Sequence, residues 1–126
     1  MTDLFWERVP DDWIDRMFDV MRKARDHTFQ ILTKRPQRLH DYVLRMWDPH
    51  LPASNLGARD ETGHPAFNIW LGVSCEDQRR ADERIPILLD TPAALRFVSA
   101  EPLLQRLTIL QWMPFNAEKA DYRYAR

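Results

Sequence analysis

A chain of 126 residues, 44% hydrophobic and 29% charged, is long enough for one globular domain and too short for two ordinary ones. Eighteen basic against nineteen acidic side chains leave a formal charge of −1, so no net field draws the chain to nucleic acid or anionic lipid. The single cysteine, Cys75, excludes an internal disulfide framework and a multi-cysteine metal site within one chain. No apolar run nears the ~20 residues that span a bilayer, and the opening MTDLFWERVP is too polar for a signal peptide, which together point to the cytoplasm.

Asp11 to Asp26 is predicted as a helix, because Trp13, Ile14, Met17, Phe18, Met21 and Ala24 recur at three- and four-residue spacing. Asp11 and Asp12 suit the positive end of its dipole, and Arg22, Lys23 and Arg25 the negative end. Thr28 to Thr33 reads as a strand ending in the turn Lys34-Arg35-Pro36, and Pro36 is preorganised to start a second helix, Pro36 to Trp47. From Asp48 to Phe67 the prolines and glycines are those of a loop, unusually long for a compact domain. NIWLGVSCED, Asn68 to Asp77, follows: a short apolar run, as in a strand buried on both faces, turning polar at Ser74. Asp77 to Asp90 has a helical pattern that Pro86 is expected to split into two pieces. Leu95 to Ser99 is a third strand, and Leu107 to Leu110 reads as a short fourth.

Helices alternating with strands predict an α/β fold built from right-handed βαβ units on a parallel sheet. In such folds ligands bind where the strands end. Three strand endings here turn polar at once, in FQILTKR, WLGVSCED and LRFVSAE. There is no Gly-x-Gly-x-x-Gly turn and no phosphate loop. Three or four parallel strands make about half of a typical (βα)8 barrel.

The motifs ILTKRP, WLGVSCED with ADERIP, and TPAALRFVSAEPLL together resemble a phage- and prophage-associated family of unknown function, whose complete members look like radical-SAM-type barrels. The resemblance covers residues 3–110 and implies a partial parallel βα barrel of three to four strands, followed by a non-matching tail, 111–126. Complete relatives would carry a cysteine-rich segment for a [4Fe–4S] cluster, bind S-adenosylmethionine, and have a Gly-Gly-Glu-Ser-type turn after the last strand. This chain has neither the cysteines nor that turn, so it is read as an internal fragment that holds no cofactor and is not catalytic alone. A cluster of this kind takes three protein thiolates.

The residues singled out at the strand ends are Thr33, Lys34, Arg35, Ser74, Glu76, Ser99 and Glu101. Lys34 and Arg35, with Arg38 a turn further on, either hold a phosphate or carboxylate or form an ordinary solvated turn. Glu76 reads equally as an acid/base or ribose-binding group at a barrel mouth and as a residue of the helix start, whereas Asp77 and Ser74 fit helix capping better than catalysis. Glu101, before Pro102, either pairs with Lys34 or Arg35 across neighbouring strand ends as a structural ion pair or serves as a catalytic carboxylate. Cys75 reads as inert, because Glu76 and Asp77 disfavour a thiolate. His27, His40, His50 and His64 lack metal-binding spacing. Arg79, Arg80, Asp82, Glu83 and Arg84 read as a solvated helix face, and Trp13, Trp47 and Trp70 as packing residues. Two functions follow: part of a barrel enzyme whose mouth these residues line, or a non-catalytic module that self-associates or docks on a partner chain through unpaired strand edges. Nucleic-acid binding through Lys34, Arg35 and Arg38 is a weaker third.

Overall fold

β2 (Ile69–Ser74) lies at the centre of a three-stranded parallel sheet, between β1 (Phe29–Thr33) and β3 (Leu95–Ser99). Leu71 lies opposite Ile31 on one side and Arg96 on the other. In this computed structural model, residues 3–48, 50 and 56–113 are described. Residues 49 and 51–55 of the long loop, and 114–126 of the tail, lie outside the described residues. α1 (Asp11–Lys23) precedes β1, α2 (Pro36–Arg45) joins β1 to β2, and α3 (Gln78–Leu89) joins β2 to β3. The predicted α/β alternation is present, and α2 and α3 pack against one another.

Alternation along the strands divides the sheet into two unlike faces. Ile69, Leu71 and Val73 point into the core, beside Phe29, Ile31 and Thr33 of β1. There they join Ile14, Phe18 and Met21 of α1, Leu39, Tyr42 and Val43 of α2, and Ala81, Ile85 and Leu88 of α3. Phe5, ahead of α1, completes an aromatic group with Phe18 and Tyr42, ring centroids 5.3 to 6.4 Å apart. The other face carries Gln30, Leu32, Trp70, Gly72, Leu95 and Phe97, of which Gln30, Leu32 and Leu95 are exposed. Gly72 is required here: a Cβ in its place would stand 2.5 Å from the Phe97 ring.

Among the described residues the sheet is open, with β1 and β3 as its edges; no barrel closes. The expected fourth strand at Leu107–Leu110 is absent. Thr108 N–H donates to Gln78 Oε1 at 2.7 Å, and Gln78 Nε2 donates to the Thr108 carbonyl at 3.0 Å. One amide side chain thus takes both ladder bonds that a neighbouring strand would offer, and a 3₁₀ turn (Leu110–Trp112) follows.

Pro86 does not split α3. Ile85 and Leu88 are buried on either side of it, and Thr91 Oγ1 donates to the Ile87 carbonyl and Arg96 Nε to the carbonyls of Leu88 and Thr91. This anchoring outweighs the ~3 kcal/mol that an interior proline costs. Trp13 is a further correction. It is exposed, because α1 buries only the Ile14–Phe18–Met21 half of its broad apolar face. No helix among the described residues is long and apolar enough to cross a membrane.

Candidate ligand-binding site at the strand ends

The residues that follow β1 and β2 meet at one edge of the sheet. Lys34, one residue past β1, reaches across to Glu76, two past β2, with Nζ 2.8 Å from Oε1. The Glu76 side chain is 10% exposed, that of Lys34 53%. Arg84, from the second turn of α3, donates through Nη1 to Glu76 Oε2 at 3.2 Å and to the Ser74 carbonyl. Burial opposes ionisation of Glu76. The Lys34 hydrogen bond, Glu76's own backbone N–H and the Arg84 charge outweigh it, leaving the carboxyl below its ordinary range.

Arg84 therefore does not belong to a solvated face. It lies within a turn of Ala81, Ile85 and Leu88 on the buried side of α3, a position the spacing could have revealed. Arg79 is solvated as expected, pairing with Glu83 at 3.2 Å across largely exposed side chains.

A second carboxylate, unforeseen from sequence, closes the end of β1. Asp3 accepts from Thr33 Oγ1 at 2.8 and 2.9 Å, from the Lys34 N–H at 2.8 Å and from Arg35 Nη1 at 3.3 Å. Thr33 Oγ1 in turn accepts from the Arg35 N–H at 2.9 Å. Arg35 Nε also pairs with Glu7 at 2.9 Å. The bonds of Asp3 to Thr33, Lys34 and Arg35 span some thirty residues, so no local pattern places it at this strand end. Arg38 donates to the carbonyls of Trp6 and Val9 and to Asp11 Oδ1. Arg35 and Arg38 thus clamp the N-terminal segment, and among the described residues the Lys34 ammonium pairs with Glu76 alone.

At the β2–β3 end, Ser74 and Ser99 are register partners, and the Cys75 N–H continues the ladder to the Ser99 carbonyl at 2.8 Å. Ser74 Oγ donates to the Glu101 carbonyl at 3.3 Å, so Ser74 does not cap α3. Asp77 does, accepting from the Arg80 N–H at 2.8 Å. The exposed Glu101 carboxylate does not pair with Lys34 or Arg35; those cations are held by Glu76, Asp3 and Glu7. Cys75 is fully buried, and burial, with Glu76 and Asp77 nearby, pushes its thiol up despite Arg84. No group of three or more His, Cys, Asp or Glu side chains able to hold a metal occurs among the described residues.

Chemically, this edge offers a half-exposed ammonium with a fixed counter-charge, hydroxyls at two neighbouring strand ends, and an exposed carboxylate at Glu101. Such a set has the complementary charges and hydroxyls that polar small molecules engage. Residues 1–117 match the model of a family described as a protein of unknown function, DUF5131, and the chain belongs to that family. No curated protein and no solved structure matches it.

Proposed function

We propose that this family member contributes three strands to a radical-SAM-like parallel barrel of phage and prophage proteins, and that its strand ends hold the anionic part of a small ligand. In complete relatives that ligand would be S-adenosylmethionine. The Lys34–Glu76 pair carries the reading. Lys34 has three N–H donors and, among the described residues, one fixed partner, so its half-exposed ammonium can take a ligand carboxylate without giving up Glu76. Glu76, immobilised by Arg84, keeps acceptor capacity for an ammonium or a ribose hydroxyl, and Ser74, Ser99 and Glu101 supply further acceptors. The polar endings also lie where parallel barrels concentrate their chemistry.

A [4Fe–4S] cluster does not fit this chain. It takes three thiolates, and the one cysteine here is buried with its thiol pushed up. No catalytic step is therefore assigned to these residues; their role is to bind and orient.

Calorimetric titration with S-adenosylmethionine tests the reading. Lys34→Met is expected to weaken binding at least tenfold, about 1.4 kcal/mol, while Arg79→Ala leaves it unchanged. Failure of the intact chain to bind, or equal binding by Lys34→Met, would refute it.

A second reading, of an interaction module, is favoured by the bare sheet face. Parallel sheets bury both faces, yet Leu32 and Leu95 are exposed beside the partly buried Trp70 and Phe97. A partner chain covering that face would complete the core. Binding of a hydrophobic dye that Leu32→Lys does not reduce would count against an accessible apolar face.

A further inference from the structure

α1 has a second apolar line besides the one it buries. Trp13, Met17 and Val20 are spaced by four and three residues, so they stack along one side of the helix. Their relative exposures are 59%, 48% and 66%, against 6% or less for Ile14, Phe18 and Met21. At roughly 100° per residue the two lines lie about a quarter-turn apart. Packing among the described residues thus accounts for one line and leaves the other bare.

Beside the bare line runs a row of charges of alternating sign: Asp12, Arg16 and Lys23, all exposed, and the half-buried Asp19. Within the helix Arg16 pairs with Asp12 at 3.8 Å, and Asp19 is held by Lys23 at 2.7 Å and by the largely buried Arg22 at 2.6 Å. The row is complementary to itself when reversed. A two-fold axis crossing the helix near Met17 and Phe18 sets Asp12 opposite Lys23 of a second copy, and Arg16 opposite Asp19 of that copy. The symmetry brings the same flank of both helices together, so every facing pair is unlike in sign. The antiparallel arrangement also sets each acidic N-terminal turn, Asp11 and Asp12, beside a basic C-terminal turn, Arg22 and Lys23.

We infer that the exposed face of α1 is a homodimer interface, in which Trp13, Met17 and Val20 pack on the same residues of a second, antiparallel α1 and the flanking charges fix the register. It is an isologous contact, closed by its own symmetry. It involves neither the strand ends nor the bare sheet face. A helix of 13 residues is ~20 Å long. The contact therefore sits at the small end of stable interfaces, and the dimer is expected to dissociate on dilution.

Sedimentation equilibrium of the intact chain across a concentration series tests this. The expected result is reversible association to twice the chain mass, weakened at least tenfold by Val20→Glu with an unchanged circular dichroism spectrum. Two charge variants, Asp12→Lys and Lys23→Asp, test the geometry and leave the Arg22–Asp19 pair in place. Each alone should be monomeric, and an equimolar mixture should regain the dimer. Leu32→Lys, on the sheet face, should leave association unchanged. A monomer at all concentrations, a dimer that survives Val20→Glu, a mixture that stays monomeric, or a dimer lost in Leu32→Lys would each overturn the proposal.

Discussion

Replacing Arg84 by Met tests whether the strand-end charges form one buried unit. Met keeps most of the apolar stem but removes the guanidinium that donates to Glu76 Oε2 and to the Ser74 carbonyl. Both side chains are largely withdrawn from water, Arg84 at 13% and Glu76 at 10% exposure. Breaking a buried pair costs about 3–5 kcal/mol when the remaining charge is stranded. Here Lys34 still holds Glu76, so the loss should approach that of charge-assisted hydrogen bonds, about 2 kcal/mol. For a domain of this size that is a fall in Tm of roughly 6–10 °C.

Acid supplies the diagnostic. Glu76 has its carboxyl lowered in the folded state, so the pair's stabilisation is complete above the ordinary carboxylate range and is lost as the pH falls through the lowered value. Urea titrations of both proteins should therefore diverge by a constant amount from pH 6 to 8 and converge on acidification. Added salt should change the difference little, because the pair is sheltered. A difference below ~0.5 kcal/mol at pH 7, as for a surface ion pair, or one independent of pH in the acid range, would refute the view that Arg84 and Glu76 act together.

Three further outcomes are expected. His40 Nδ1 lies 3.2 Å from Asp41 and Nε2 3.0 Å from Asp90, and engaging a carboxylate at each nitrogen calls for the imidazolium. Burial lowers its pKa, but the two carboxylates prevail and raise it. The stabilisation is thus full below the ordinary value of 6.5 and lost as the pH rises through the raised one. His40→Gln should flatten that part of the stability–pH curve measured by urea unfolding. Asp77→Ala should cost about 1 kcal/mol through the lost α3 cap, with Asp77→Ser close to neutral in the same assay. Gly72→Ala should cost roughly 1–3 kcal/mol by thermal melting, because its methyl meets the Phe97 ring, and Phe97→Leu in the same chain should restore part of the loss.

The three strands were legible because each is a short apolar run with a polar ending, and β2, the central strand, shows this most clearly. α1 and α2 were legible from period alone. Trp13 was not, since the period shows that a helix has an apolar side but not how much of it the domain covers. At Pro86 and at Leu107–Leu110 local propensity is overruled by side-chain hydrogen bonds that a periodicity does not show, made a few residues on at the proline and thirty residues away at Thr108. Arg96 and Thr91 secure the turn after the proline, and Gln78 occupies the backbone of Thr108. At the strand ends, Lys34 and Glu76 stood in recognisable positions, but their pairing depends on the register of β1 against β2, which no local motif encodes. Asp3 lay beyond any local signal.

The bonds that Gln78 makes to Thr108 have a consequence for dynamics. Besides Leu104 N–H to the Glu76 carbonyl at 2.9 Å, they are the hydrogen bonds that fasten the run after β3 to the start of α3. Leu107, Ile109 and Trp112 add only partial burial. This run should therefore open as its own small cooperative unit, well below the free energy of global unfolding. Amide protons of Leu104 and Thr108 would exchange early while those of β2 stay protected, and because Leu104 is hydrogen-bonded to the backbone of Glu76 itself, the exchange clock of this run would time how often that residue's surroundings are laid open.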